Sequence, residues 1–230
     1  MENDRVPRHI VIIPDGNRRW AKSRMMKPWE GHIKAGSHEN LFPLLKKARG
    51  LNIEYLSLWG FSTENWKRDK KEVDILMNLF TKTIKKSSQE FHKEKIRFMH
   101  LGRKDRIPKE LLIEIEKLEK ETSDYNDFNF QLCIDYGGRD EIIRAVNKLV
   151  KKGVEINEEN LAKSLDTAEI PDPDLIIRTG GEKRLSGIMP FQSDYAELYF
   201  TDKYFPDFNA DDLGLAVEDF SARKRNFGGN

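Results

Sequence analysis

The stretch IIPDGNRRWAK, residues 12–22, leaves an apolar run and at once sets Asp15, Gly16, Asn17, Arg18 and Arg19 side by side. Asp, Gly and Asn build turns, because Gly accepts positive φ and the short polar side chains bond back to the backbone. A turn has no need of two arginines beside an aspartate. An acid next to two guanidinium groups is the chemistry of a hard metal ligand beside an anion grip. The glycine allows close backbone approach to a phosphate, and a helix starting after it would aim free N–H groups the same way. A second stretch, IIRTGGEKRLS (176–186), places Arg178 before a glycine pair and Arg184 and Ser186 after it. Either stretch alone reads equally well as an ordinary turn flanked by surface arginines.

Magnesium prefers oxygen ligands and is often held by one or two carboxylates plus substrate phosphates. Asp15 is the natural candidate. Glu197, the odd carboxylate of the apolar run in SDYAELYF, is a second, with a solvent-facing edge-strand position as its alternative reading. Several chemistries are discounted. There is no GxxxxGK[ST], no GxGxxG and no Cys/His spacing for zinc. His38-Glu39 lacks the second histidine of HExxH, and Asp211-Asp212 stand alone rather than opening a DDxxD motif. His32, in the Gly-flanked EGHIKAG, sits near the proposed site, with a packing role and a chemical one both open.

The elements that must position these residues follow from hydrophobic periodicity. Short apolar runs at 9–14, 55–61, 96–102, 130–136, 174–180 and 197–202 read as strands, several of them continuous enough to be covered on both faces. Helical spacing appears at 33–49, 72–84, 107–118, 139–151, 158–165 and 210–224. Strand and helix alternate, which predicts an α/β fold: a mainly parallel six-stranded sheet with helices on its faces. No repeat or long linker divides the chain, so one domain over 1–230 is expected. Ligands of such sheets gather beyond the carboxyl ends of the strands. Four of the six ends run into charged or Gly-rich sequence: DGNRRW, STENWKR, GGRDE and GGEKR.

Composition narrows the partners. Forty basic residues balance 39 acidic ones, which argues against a nucleic-acid binder. The single cysteine, Cys133, lies in the apolar run FQLCIDY; it can form no disulfide within the chain and fits a core role in a reducing compartment. No apolar run approaches the ~18 residues a membrane span needs. A cytoplasmic protein is the expectation.

Taken in order, IIPDGNRRWAK, GHIKAG, GFSTENWKR, YGGRDEI, PDLIIRTGGEKRLS and SDYAELYFTD closely resemble the motif set of the cis-prenyltransferases, the undecaprenyl diphosphate synthase family, from about His9 to Gly229. The resemblance implies a central parallel sheet with a hydrophobic tunnel between sheet and helices. It implies Mg²⁺-dependent head-to-tail condensation of isopentenyl diphosphate with an allylic diphosphate, such as geranyl or farnesyl diphosphate, adding Z units to a polyprenyl chain. In that reading Asp15 brings Mg²⁺ to the allylic diphosphate, whose oxygens Gly16, Asn17, Arg18, Arg19 and Arg68 hold, with Trp20 and His32 at the same site. Arg178, Arg184 and Ser186 hold isopentenyl diphosphate, and Glu197 is linked to the metal. Ser62, Glu64 and Asn65 assist near proton loss, Asn65 with Asp15 as the catalytic pair. Phe61, Trp66 and the apolar side of 72–84 shape the tunnel. The family reading also implies a homodimer, or the catalytic subunit of a heteromer, and transient contact with a membrane surface through the lipid product.

Three departures stand out. Pro28 occupies the place of a customary arginine four residues before His32, with Lys27 as its substitute. The C-terminal RxG signature reads Asn226-Phe227-Gly228, with Arg225 one residue early. Phe191 replaces a customary tryptophan before Gln192.

Overall fold

In a computed structural model, residues 6–224 are described. Strand β1 (His9–Ile13) runs up the middle of a six-stranded sheet. The others are β2 (Tyr55–Ser62), β3 (Ile96–Leu101), β4 (Phe128–Tyr136), β5 (Leu175–Arg178) and β6 (Glu197–Phe200). Their spatial order is β3-β4-β2-β1-β5-β6, and every pairing is parallel. All carboxyl ends therefore lie at one edge. β4 is buried at every position, which is why its sequence shows no polar alternation.

Helices α1 (Asn17–Ser23), α2 (Pro28–Ala35), α3 (His38–Gly50), α4 (Lys70–Lys93), α5 (Lys109–Glu121), α6 (Gly138–Lys152), α7 (Glu158–Ala162) and α8 (Ala210–Ala222) complete the chain, with short 3-10 turns at Thr63–Lys67 and Phe205–Asp207. Ile10 and Ile12 face a large core with Phe42, Leu45, Leu76, Phe98 and Phe220. Val11 and Ile13 face a smaller one with Cys133, Tyr136, Ile188 and Met189. Alternate residues of one strand thus serve opposite layers.

The sequence reading differs from the structure at one helix above all. The helix expected over 33–49 is two. Pro28 opens α2 at its first position, where a missing N–H costs nothing, and Glu30 Oε2 accepts the Lys27 N–H at 2.6 Å. Gly36 and Ser37 then end it, and the Ser37 carbonyl starts α3. Helix α4 starts two residues before its apolar period, where Asp69 caps it, accepting from the Lys71 and Glu72 N–H groups at 2.9 and 3.4 Å, and it runs on past Ile84 because Ser87 and Phe91 continue the buried face. The C-terminal signature at Asn226 lies outside the described residues.

Candidate active site

Beyond the ends of β1, β2 and β5 opens a cleft of about 860 Å³ lined by Asp15, Gly16, Asn17, Arg18, Arg19, His32, Ser62, Glu64, Asn65, Arg68, Arg178 and Ser186. Gly16 turns the chain from β1 into α1 with φ 94°, and a Cβ there would lie 2.4 Å from the Tyr204 ring. No other residue satisfies both demands. The turn after β5 packs on it: Gly180, at φ 82°, has no room for a Cβ against Arg19 and the Asp15 backbone. Thr179 ties the two turns, its Oγ1 accepting the Asp15 N–H at 2.9 Å and lying 2.8 Å from the Asp15 carbonyl.

Asp15 is the hub. Oδ1 accepts the Gly16 N–H at 2.6 Å, and Oδ2 accepts from Arg178 Nη2 at 2.8 Å. Burial pushes its pKa up, but the Arg178 and Gly16 bonds and the Arg19 charge outweigh that, and the net shift is downward. Asp15 is ionised at neutral pH. Arg178 is itself buried; Nη1 donates to Ser186 Oγ at 2.8 Å and to the Arg184 carbonyl.

On the opposite wall, Glu72 gathers Arg68 at 3.2 Å, Arg18 at 3.8 Å and His32 at 4.0 Å. Burial, then the Arg68 and Arg18 charges, lower the His32 pKa to about 4, so the ring is neutral. Asn17 Nδ2 donates to the Pro14 carbonyl at 2.9 Å and faces His32 Nδ1 at 3.4 Å, which leaves the ring proton on Nε2. Three buried polar atoms here have no hydrogen-bond partner: Asn17 Oδ1, His32 Nε2 and Arg178 Nε. Buried polar groups are rarely left so. The cleft is built for a polar ligand that both accepts and donates, or that brings a cation.

Pro14, Asn17, His32 and Gly60 also line an apolar cavity of about 80 Å³ that runs on between β2, β4 and helices α3 and α4, past Phe42, Leu76, Phe80 and Phe91. A charged cleft thus opens directly onto an apolar interior. The family model described as "Putative undecaprenyl diphosphate synthase" matches residues 13–228. This chain belongs to that prenyltransferase family. An isoprenyl transferase of Wolinella succinogenes is 44% identical over 222 residues, 96% of each chain. Among solved structures, lavandulyl diphosphate synthase from Lavandula x intermedia, in complex with dimethylallyl diphosphate, superposes with a TM-score of 0.94 at 34% identity, covering 99% of this chain and 100% of the other. A probable undecaprenyl diphosphate synthase from Campylobacter jejuni gives 0.82 at 32% identity, covering 97% and 99%.

Within this prenyltransferase the cleft gathers twelve of the residues expected from sequence and leaves four outside its lining. Trp20 turns into the protein: its indole N–H donates to Asp207 at 2.8 Å and Arg24 stacks on its ring. Trp66 packs on the core and donates to Asp135 at 2.8 Å. The Arg184 guanidinium is exposed and pairs with Glu182 at 2.6 Å, so only its carbonyl joins the site. Glu197 opens β6 in register with Leu175, three residues and about 10 Å along the strand from the Arg178 end. There it pairs with Arg223 at 2.7 Å. Lys27 does not replace the missing arginine either, because its ammonium sits over the Trp29 ring; Lys22 lines the cleft instead.

Glu72, Thr179 and Lys22 are the site residues the motifs did not single out. Glu72 was visible as an acid four residues after Arg68, inside a run that otherwise reads as a solvated helix start. Among the described residues no group of three or more His, Cys, Asp or Glu could hold a metal by itself. An ionised Asp15, with substrate oxygens completing the shell, is the arrangement that suits Mg²⁺. Asn17 Oδ1, an acceptor without a partner, fits the same chemistry.

Proposed function

We propose that this prenyltransferase condenses isopentenyl diphosphate with an allylic diphosphate, geranyl or farnesyl in class, to give a Z-polyprenyl diphosphate in a Mg²⁺-dependent reaction. The observation that carries the reading is the shared lining of the two spaces: a diphosphate in the cleft has its hydrocarbon tail facing the apolar cavity. Arg18, Arg19, Arg68 and the His32 Nε2–H then hold the allylic diphosphate. As its C–O bond breaks, charge grows on the leaving group, and donors fixed beforehand stabilise that change without reorganising. Mg²⁺ held by Asp15 and the diphosphate would add electrostatic stabilisation of the same group. Arg178 and Ser186 form a second grip for isopentenyl diphosphate, with Arg184 free to join once it leaves Glu182. Ser62, Glu64 and Asn65 stand at the reacting carbons.

The reading includes one domain, a cytoplasmic setting and a homodimer. Leu198 on the edge strand β6 and Leu215 on α8 are exposed apolar residues at the sheet edge where a second copy would add. Among the described residues no helix is long and apolar enough to cross a membrane, and the product's tail would supply any surface contact. The test is product analysis by mass spectrometry with Mg²⁺, isopentenyl diphosphate and farnesyl diphosphate, Asp15→Ala alongside. A polyprenyl ladder that disappears in the variant supports the reading. A folded protein that binds no farnesyl diphosphate overturns it. Light scattering on the eluted protein decides the dimer.

A further inference from the structure

We propose that Asp135 is a positioning residue, whose carboxylate braces the turn bearing Ser62, Glu64 and Asn65 by holding the indole of Trp66. Asp135 lies near the end of β4 and is fully buried, yet it lines no part of the cleft. Its backbone sits in the left-handed region at φ 53°, uncommon for a non-glycine residue and reached by aspartate more readily than by most. The side chain has two partners. Oδ1 accepts the Trp66 Nε1–H at 2.8 Å, and Oδ2 accepts from Arg106 Nε at 2.8 Å, while Arg106 Nη2 also bonds Oδ1.

The surrounding backbone is built around this carboxylate. The loop after β3 lies directly on the end of β4: a Cβ at Gly102 would be 2.3 Å from the Ile134 carbonyl, and the Arg103 N–H donates to the Asp135 carbonyl at 3.1 Å. That loop gives the cleft no side chain. What it gives is Arg106. On the other side, Trp66 directly follows Asn65, and its ring stands edge-on to Phe61 at 5.1 Å and 75°. Residues 62–65 are thus fixed at both flanks, and the Ser62 N–H to Asn65 Oδ1 bond of 3.1 Å closes the turn between them. Taking the Asp135 carboxylate out of solvent to meet Arg106, whose own side chain stays exposed, is a poor way to gain stability, since an apolar residue in the buried position usually does as well or better. A planar fork that fixes one carboxylate plane, and through it one indole, is a good way to gain position.

The kinetic consequence rests on the prenyl-transfer reading; the brace itself does not. Three variants test it: Asp135→Asn, Trp66→Phe, which keeps an aromatic ring against Phe61 but removes the indole N–H together with the second ring, and the two combined. In ligand-free protein, hydrogen exchange over residues 62–68 should quicken about tenfold in each single variant while the remaining strands keep their protection. Where the protein elongates, kcat should fall ten- to a hundredfold, on the order expected for a displaced catalytic group. KM for both diphosphates should stay within about twofold, and the double variant should be no worse than the more affected single one. Unchanged exchange at 62–68, or losses that multiply in the double variant, overturns the proposal. If Asp135→Asn does not fold, Trp66→Phe alone decides through the same exchange and kcat measurements. A wild-type protein without elongation would sink the proposed function, and the exchange experiment would still judge the brace.

Discussion

Arg178 joins Asp15 on β1's turn to Ser186 on the turn after β5. One guanidinium bonds Asp15, Ser186 and the Arg184 carbonyl while nearly sealed from solvent. An ammonium in its place keeps the charge but not the fork, so Arg178→Lys should raise KM for isopentenyl diphosphate about tenfold or more by steady-state assay. Asp15→Asn should cost more in kcat than in KM, because it removes the charge that Arg178 and a metal both need. The consecutive run Asp15–Arg19 made half of this legible in the sequence, since residue types that close together announce an anion grip. What could not be read was direction. Trp20 and Trp66 sit among cleft residues in sequence, yet each indole N–H finds a carboxylate from a distant segment, the exposed Asp207 or the buried Asp135. Glu197 lies outside the cleft's lining for a related reason, because its distance along β6 is set by strand register and nothing local reports register.

Elements position these side chains through a few close approaches. Where α2 crosses α1, a Cβ on Gly31 would lie 1.9 Å from the Asn17 carbonyl. Gly31→Ala must push the helices apart, at about 1–3 kcal/mol by overpacking. It would also move Asn17 and His32 together, so activity should fall with the melting temperature. At the neck between cleft and cavity, the Phe80 ring of α4 stands where a Cβ on Gly60 would be 3.1 Å from it. Gly60→Ala should narrow the neck and shorten the products, and Phe80→Ala should widen it and lengthen them, both read by mass spectrometry. Strands β1, β4 and β5 were legible because burial on both faces leaves an unbroken apolar run, and the partly exposed β2, β3 and β6 because their residues are mostly apolar or β-forming. The break between α2 and α3 was not, since Gly36-Ser37 is a weak signal inside a period that continues across it.

For the molecule as a whole, a polar thread runs beneath the sheet. His9 Nδ1 lies 2.7 Å from the Pro171 carbonyl, Nε2 lies 2.9 Å from Ser57 Oγ, and Ser57 reaches Gln131 at 3.2 Å, all within the interior. Burial lowers the His9 pKa to about 4, the Pro171 bond and Asp174 only partly opposing it. The unfolded chain takes up a proton near pH 6.5 that the folded one refuses. Stability is therefore full above that pH and falls as pH drops toward 4, by about 3 kcal/mol at the lower end. Urea midpoints across this window should show the slope; His32, lowered likewise to about 4, adds to it, so His9→Gln should remove the share of His9 and leave that of His32.

Cys133 closes the point in a practical way. It lies at the centre of β4, fully buried, with burial and the charges of Glu141 and Asp166 holding the thiol protonated. A thiol reagent can reach it only when the layer that carries Ile188 and Met189 lifts from the sheet. The native chain therefore carries its own clock: alkylation at this one sulfur counts openings of that layer, and a cysteine introduced at the surface can bear a dye with no competition from within.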